Sequence, residues 1–169
     1  MKADVLINVL GRMYMDDHLH GTMYPRVNRI LDALKDESPQ TIYEALTIKD
    51  ENEYTVLMYA SIFTRYTWLR KILELARQVQ HDYPKLRQDM FKARTANGES
   101  SLILLIEAEK IEAEERNSDI RYGNIKLFLQ HGAKIDEKEH GMSAFQYAQD
   151  EGVDLTRGKT RTRRTLKKK

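Results

Sequence analysis

The sequence predicts an all-α protein, a helical solenoid with short hairpin turns between helices and divergent capping helices at its N-terminus. Three observations predict it. Apolar residues recur at helical spacing along most of the chain. A polar turn leading through a hydroxyl residue into an apolar helix occurs three times, and its hydroxyl residues Thr55, Ser100 and Ser143 are spaced by 45 and 43 positions. Near-constant spacing of that kind marks an array of units, each buried by its neighbours. Leucine-rich segments follow the first two markers, and the second of them ends in a Gly-Ala pair.

Taken in order, Val5, Leu6, Val9, Leu10, Met13 and Tyr14 fall on one helical face. Gly21 and Thr22 interrupt, and Pro25 suits the first turn of a second helix, because that position needs no backbone N–H. Val27, Ile30, Leu31 and Leu34 are its stripe. Ser38-Pro39 is a cap followed by a first-turn proline and predicts a third helix carrying Ile42 and Leu46. The repeated turn-to-helix pattern reads Asp50-Glu51-Asn52-Glu53-Tyr54-Thr55-Val56-Leu57 at first, then Asn97-Gly98-Glu99-Ser100-Ser101-Leu102, then Gly141-Met142-Ser143-Ala144-Phe145. Trp68, Leu69, Ile72, Leu73 and Leu75 predict a buried stripe after the first marker, and Ile125, Leu127, Phe128 and Leu129 after the second. Gly132 is placed to close that last helix in the left-handed conformation. Ile135-Asp136 is expected as a short extended stub. Three regions follow: an N-terminal helical cap or degenerate repeat over 1–49, repeats over 50–155, and a basic tail over 156–169.

Leu127-Phe128-Leu129-Gln130-His131-Gly132-Ala133-Lys134-Ile135-Asp136 resembles the second-helix ending and hairpin strand of the ankyrin-repeat family. Thr55, Leu57 and Ala60 match the first-helix signature of that family, and Ser143, Phe145 and Ala148 match it conservatively. Val56, Ser101 and Ala144 stand where the family has proline, and Met58, Ile103 and Gln146 where it has histidine. The period exceeds the family's ~33 residues. The excess is expected in Leu75–Phe91 and in a first helix lengthened through Glu107–Ser118. The resemblance covers about Asp50–Gly152 and implies a protein-binding surface on the hairpin tips and the exposed face of the first helices. Carried over by position, it implies Glu51, Asn52, Tyr54, Ile62 and Phe63 in one unit. It implies Ala96, Asn97, Glu99, Glu107 and Ala108 in the next, and His140, Met142, Gln149 and Asp150 in the last. For Phe63, an anchoring role and simple internal packing weigh equally; Trp68 belongs to the core.

Composition bounds the function. The chain has 169 residues, 41% hydrophobic and 32% charged, and no cysteine. Thiolate metal sites and disulfides are therefore excluded. No apolar run reaches the ~18 residues of a membrane span, and no signal peptide is evident at Met1, so an intracellular protein, cytoplasmic or nuclear, is expected. The formal net charge is +2. Arg157, Lys159, Arg161, Arg163, Arg164, Lys167, Lys168 and Lys169 stand in a tail without acids, so the body is acidic. Such a tail reads as a solubilising end, a nuclear-targeting segment, or a contact for phosphates or another acidic surface.

No catalytic motif and no cofactor are implied. Asp16-Asp17-His18-Leu19-His20 reads as a solvated helix end, since histidines two apart do not share a helical face. Gly158-Lys159-Thr160 lacks the upstream glycine of a phosphate loop, with Val153 at that position. Glu107–Arg116 is acid-rich, which fits a solvated face or a patch for a basic partner. A non-enzymatic module that binds another protein is the leading expectation. A nucleic-acid-associated protein or an assembly subunit using the tail is the alternative.

Overall fold

The three hydroxyl residues Thr55, Ser100 and Ser143 act as helix caps. The Thr55 side chain accepts the Met58 backbone N–H, Ser100 accepts that of Ile103, and Ser143 that of Gln146. Each satisfies a donor that the first helical turn would leave unpaired, an effect worth about 1 kcal/mol. The computed structural model describes residues 1–135 and 143–158. Among them are nine α-helices and no strand, so the all-α class holds.

The helices are α1 (Val5–Met15), α2 (His20–Leu34), α3 (Pro39–Thr47), α4 (Val56–Ile62), α5 (Tyr66–Gln78), α6 (Leu86–Lys92), α7 (Ser101–Glu115), α8 (Gly123–Gln130) and α9 (Ala144–Asp150). They pack in rows. In the first, α1 lies against α4, α4 against α7, and α7 against α9. In the second, α2 lies against α5 and α5 against α8, and the short 3-10 turn Leu155–Gly158 follows α8. Helices α3 and α6 touch each other and both lean on α5. A single cluster of buried residues runs through all of this, from Leu6 to Leu155.

Helix α4 is the most enclosed element. Every residue from Val56 to Ser61 is buried, which is what an apolar helix with neighbours on all sides requires. Each Leu or Met side chain sealed there contributes about 1.5–3 kcal/mol. Helix α7 shares that environment only over Ser101–Ile106. It then continues for further turns, reaching about 22 Å against about 10 Å for α4. In the overhanging half Glu109 and Ala113 are buried. Helix α7 thus runs on through Glu107 to Glu115, and α6 lies at the end of the Leu75–Phe91 segment.

The ends follow local rules. In α8, Gly132 at φ +98° lets Ala133 N–H reach the Phe128 carbonyl at 3.0 Å and Gly132 N–H the Leu129 carbonyl at 3.2 Å, the paired closure that left-handed residues permit. Gly152 at φ +69° closes α9 likewise, and Asn117 at φ +48° closes α7.

One local expectation fails, and another falls only partly within the described residues. The break between α1 and α2 lies at Asp16–Leu19, where the Asp16 carboxylate accepts His18 N–H at 3.0 Å and starts a 3-10 turn. Helix α2 therefore begins at His20, and Pro25 sits inside it rather than in its first turn. The proline removes one helical bond, to the carbonyl of the exposed Gly21, close to the helix start where that loss is tolerated. The extended stub at Ile135-Asp136 is not seen as a strand: Ile135 is in a bend, and its carbonyl accepts Phe145 N–H at 2.7 Å. Asp136 lies outside the described residues.

A buried polar link joins the rows. Glu109 of α7, only 2% exposed, accepts from the Asn124 amide at 2.5 Å, and the same amide donates to the Thr64 carbonyl after α4 at 2.9 Å. Burial raises the Glu109 carboxyl above its usual range, and Glu112 adds to this, against the Asn124 hydrogen bond and the Arg121 and Arg116 charges.

Candidate functional site

The turns before α4 and α7 are built alike. In the first, Asp50 N–H donates to the Tyr54 carbonyl at 3.0 Å, and Glu53 N–H to the Asp50 carbonyl at 3.0 Å. The Asp50 carboxylate also accepts Asn52 N–H at 3.0 Å and Tyr54 N–H at 2.9 Å. In the second, Thr95 N–H donates to the Glu99 carbonyl at 3.0 Å, and Gly98 N–H to the Thr95 carbonyl at 2.9 Å. The Thr95 hydroxyl accepts Asn97 N–H at 3.3 Å and Glu99 N–H at 3.2 Å. The left-handed residue comes at the same step, Glu53 at φ +64° and Gly98 at φ +84°. The tips touch, with Ala96 N–H donating to the Asn52 carbonyl at 3.4 Å.

This geometry places the residues singled out from the sequence. Glu51, Asn52, Ala96 and Asn97 are exposed on the two tips. Tyr54 and Glu99 are half-buried at the base of the tips, and Glu107 and Ala108 are half-buried on α7. Gln149 and Asp150 are exposed at the end of α9. Ile62 and Phe63 are half-buried and packed on the core. The Phe63 ring meets Trp68 edge-on at 5.9 Å and His20 at 5.3 Å, so its apolar surface is engaged within the chain. Trp68 is 3% exposed and its indole N–H donates to Asn28 at 3.0 Å. His140, Met142 and the tail residues Lys159, Arg161, Arg163, Arg164, Lys167, Lys168 and Lys169 lie outside the described residues. Arg157 falls in the closing 3-10 turn.

Sequence reasoning missed the partners of Tyr54. Its ring stacks on Tyr59 at 5.1 Å, and both pack against Tyr14 of α1, at 6.0 and 5.6 Å. The Tyr59 hydroxyl donates to the Asp50 carboxylate. These rings, with Gly11, Met15, Asp16, Asp50 and Glu51, line an open cleft of about 790 Å³ between α1 and the first turn. Met15, 82% exposed, stands on its rim. Tyr59 could have been found as the residue four beyond the Thr55 cap, on the helical face turned back toward the loop. Tyr14 carried no such signal, because its neighbour is distant in sequence.

Helix α7 packs between α4 and α9. Burial, then the Tyr14, Glu99 and Asp50 groups, push the Tyr54 hydroxyl up to about 12. Burial, then Glu107, Glu151 and Glu99, push Tyr147 up to about 12. Burial, followed by the Glu99 and Glu151 carboxylates, raises the Glu107 carboxyl above its usual range. Glu99 thus acts on both tyrosines. Glu151 holds Lys110 in an ion pair, which raises the lysine.

The first and second rows differ in charge. Helices α1, α4, α7 and α9 carry Glu107, Glu109, Glu112, Glu114, Glu115 and Asp150 against Arg12 and Lys110. Helices α2, α5 and α8 carry Arg26, Arg29, Arg70, Lys71, Arg77 and Lys126 against Asp32 and Glu74.

The chain matches no family model, no curated protein and no solved structure. Its reading therefore rests on its own geometry. Among the described residues no group of three or more His, Asp or Glu side chains is placed to hold a metal ion, and no helix is long and apolar enough to cross a membrane.

Proposed function

We propose that this protein is a non-enzymatic, intracellular interaction module of ankyrin-like architecture, which holds another protein against its turn tips and the exposed face of its first helices. The observation that carries the reading is the recurrence of one turn. The same backbone bonds, the same doubly accepting side chain and the same left-handed step occur at Asp50–Tyr54 and Thr95–Glu99, each followed by a hydroxyl cap on a first helix. Asx- and ST-turns of this kind also form for local reasons, and it is their recurrence at the same step before two capped helices that fits units of an array. The ordered packing of α1, α4, α7 and α9 beside α2, α5 and α8 supports the same reading. Surfaces of this kind are held rigid by neighbouring units, so binding loses little conformational freedom.

The tips offer the cleanest test, because Asn52 and Asn97 are exposed. Partners are captured from the source cell with the full chain and with Asn52→Arg/Asn97→Arg, folding being checked by circular dichroism. A partner kept by the wild type and by the second-row change Arg29→Glu, but lost from the tip variant, supports the module. A partner held equally by all three places function elsewhere.

The basic run from Arg157 to Lys169 favours a second reading, a nucleic-acid-associated or assembly subunit that uses the tail. Removing residues 159–169 abolishes a salt-sensitive nucleic-acid complex under that reading and leaves the tip-dependent partner in place.

A further inference from the structure

The first-helix face is unbalanced electrically in a particular place. Helix α4 contributes no charged side chain to it. On α7 the one base, Lys110, is already engaged by Glu151 and lies 3.9 Å from Glu114. Glu107 is half-buried, has Glu99 and Glu151 as like-charged neighbours, and has no ion-pair or hydrogen-bond partner among the described residues. A carboxylate partly withdrawn from water beside two others is stabilised by any cation brought to it, and more strongly than a fully solvated one would be. Tyrosines accompany these acids. Tyr54 packs on Tyr14 of α1 and on Tyr59, and Tyr147 belongs to α9, which packs against α7. Aromatic faces beside carboxylates are surfaces on which guanidinium and ammonium groups dock, through the ring quadrupole as well as the charge.

The opposite row argues the same way by contrast. Arg26, Arg29, Arg77 and Lys126 on α2, α5 and α8 have no carboxylate partner among the described residues, against the single such base Arg12 on the first-row helices, which lines the tyrosine cleft together with the Glu53-paired Lys49. An anionic partner would be drawn to that row and repelled from the first-helix face.

We infer that the first-helix face receives a lysine- and arginine-rich segment of a partner protein, laid from the tyrosine cleft at Tyr54 across Glu99 and Glu107 to Tyr147. The inference rests on the proposed interaction module and names the chemistry of what that module holds. Neutral and acidic segments gain less on this face, since they would bury Glu107 against its two neighbours without relief.

The test uses the full chain and a fluorescently labelled Arg-Ser repeat peptide, with a Glu-Ser peptide of equal length as control, read by anisotropy at low and at physiological salt. The Arg-Ser peptide binds saturably and the control does not. Glu99→Lys/Glu107→Lys weakens binding by about tenfold or more, as like charge across an interface does. Because Glu99 also accepts from Thr95, Glu107→Gln is measured alongside; it weakens binding about threefold without touching the turn. Arg29→Glu/Arg77→Glu leaves it no weaker. Absence of Arg-Ser binding, or binding that survives the front-face reversal, overturns the inference. A cellular partner lost from Asn52→Arg/Asn97→Arg but retained by Glu99→Lys/Glu107→Lys overturns this inference alone and leaves the module standing. A partner lost from neither variant overturns the module itself.

Discussion

The turns at Asp50–Tyr54 and Thr95–Glu99 share a backbone and almost no residues. In one, a carboxylate accepts two N–H groups, and Tyr59 adds a third bond to it. In the other, a buried hydroxyl accepts the same two groups and donates to the Glu99 carboxylate at 3.1 Å. What the fold demands at that position is an acceptor at a fixed place, and either chemistry supplies it. The two solutions differ in their surroundings. Asp50 brings a charge to the tyrosine cleft, while Thr95 is sealed and neutral.

Changes to each turn break or sharpen this comparison. Asp50→Ala has the largest expected effect, because it leaves Tyr54 N–H, Asn52 N–H and the Tyr59 hydroxyl without their acceptor. Stability falls by about 2–3 kcal/mol, read as a lower denaturant midpoint at unchanged slope. If the loss is under half of that, the carboxylate does not hold the turn. Thr95→Val keeps the shape and removes one hydroxyl, at a cost of about 1–2 kcal/mol. Thr95→Asp copies the first turn into the second and is expected to lose about as much as Thr95→Val. The new carboxylate accepts both N–H groups but cannot donate to Glu99 and is repelled by it. A neutral outcome would mean that the two sites are interchangeable. Gly98→Ala costs about 1 kcal/mol, since φ +84° suits glycine. Glu53→Gly relieves the corresponding strain and gains about 0.5 kcal/mol, because the exposed Lys49–Glu53 pair it removes is worth little.

The same comparison explains how far the sequence could be read. Hydroxyl caps at Thr55, Ser100 and Ser143 were legible because few side chains can accept at that position, and Gly132 because few residues take a positive φ. The equivalence of Asp50 and Thr95 was not legible, since it exists only as shared hydrogen bonds. Pro25 misplaced the start of α2, because the Asp16 turn sets that boundary. Tyr54, Glu99 and Glu107 were singled out from the family resemblance, and each is half-buried, Tyr54 and Glu99 beside the two turns and Glu107 on α7. Tyr14 and Tyr59 meet Tyr54, and Glu151 meets Lys110, through packing between helices, which no local pattern records. Phe63 was equally readable as anchor or packing, and its ring lies against Trp68 and His20.

The Glu109–Asn124–Thr64 link makes the proton a participant in the fold. The Glu109 carboxyl is raised when folded, so the native chain binds a proton more tightly there than the unfolded chain does. Its contribution is complete below the ordinary glutamate range and is lost as pH rises through the raised value. From acid toward neutral, amide exchange at the start of α8 and just after α4 should accelerate relative to the α4 interior, once the intrinsic pH dependence of exchange is divided out. Glu109→Gln, which stays neutral, should abolish that difference. The joint between the overhang of α7 and the second row would then serve as a local clasp whose grip follows the acidity around it.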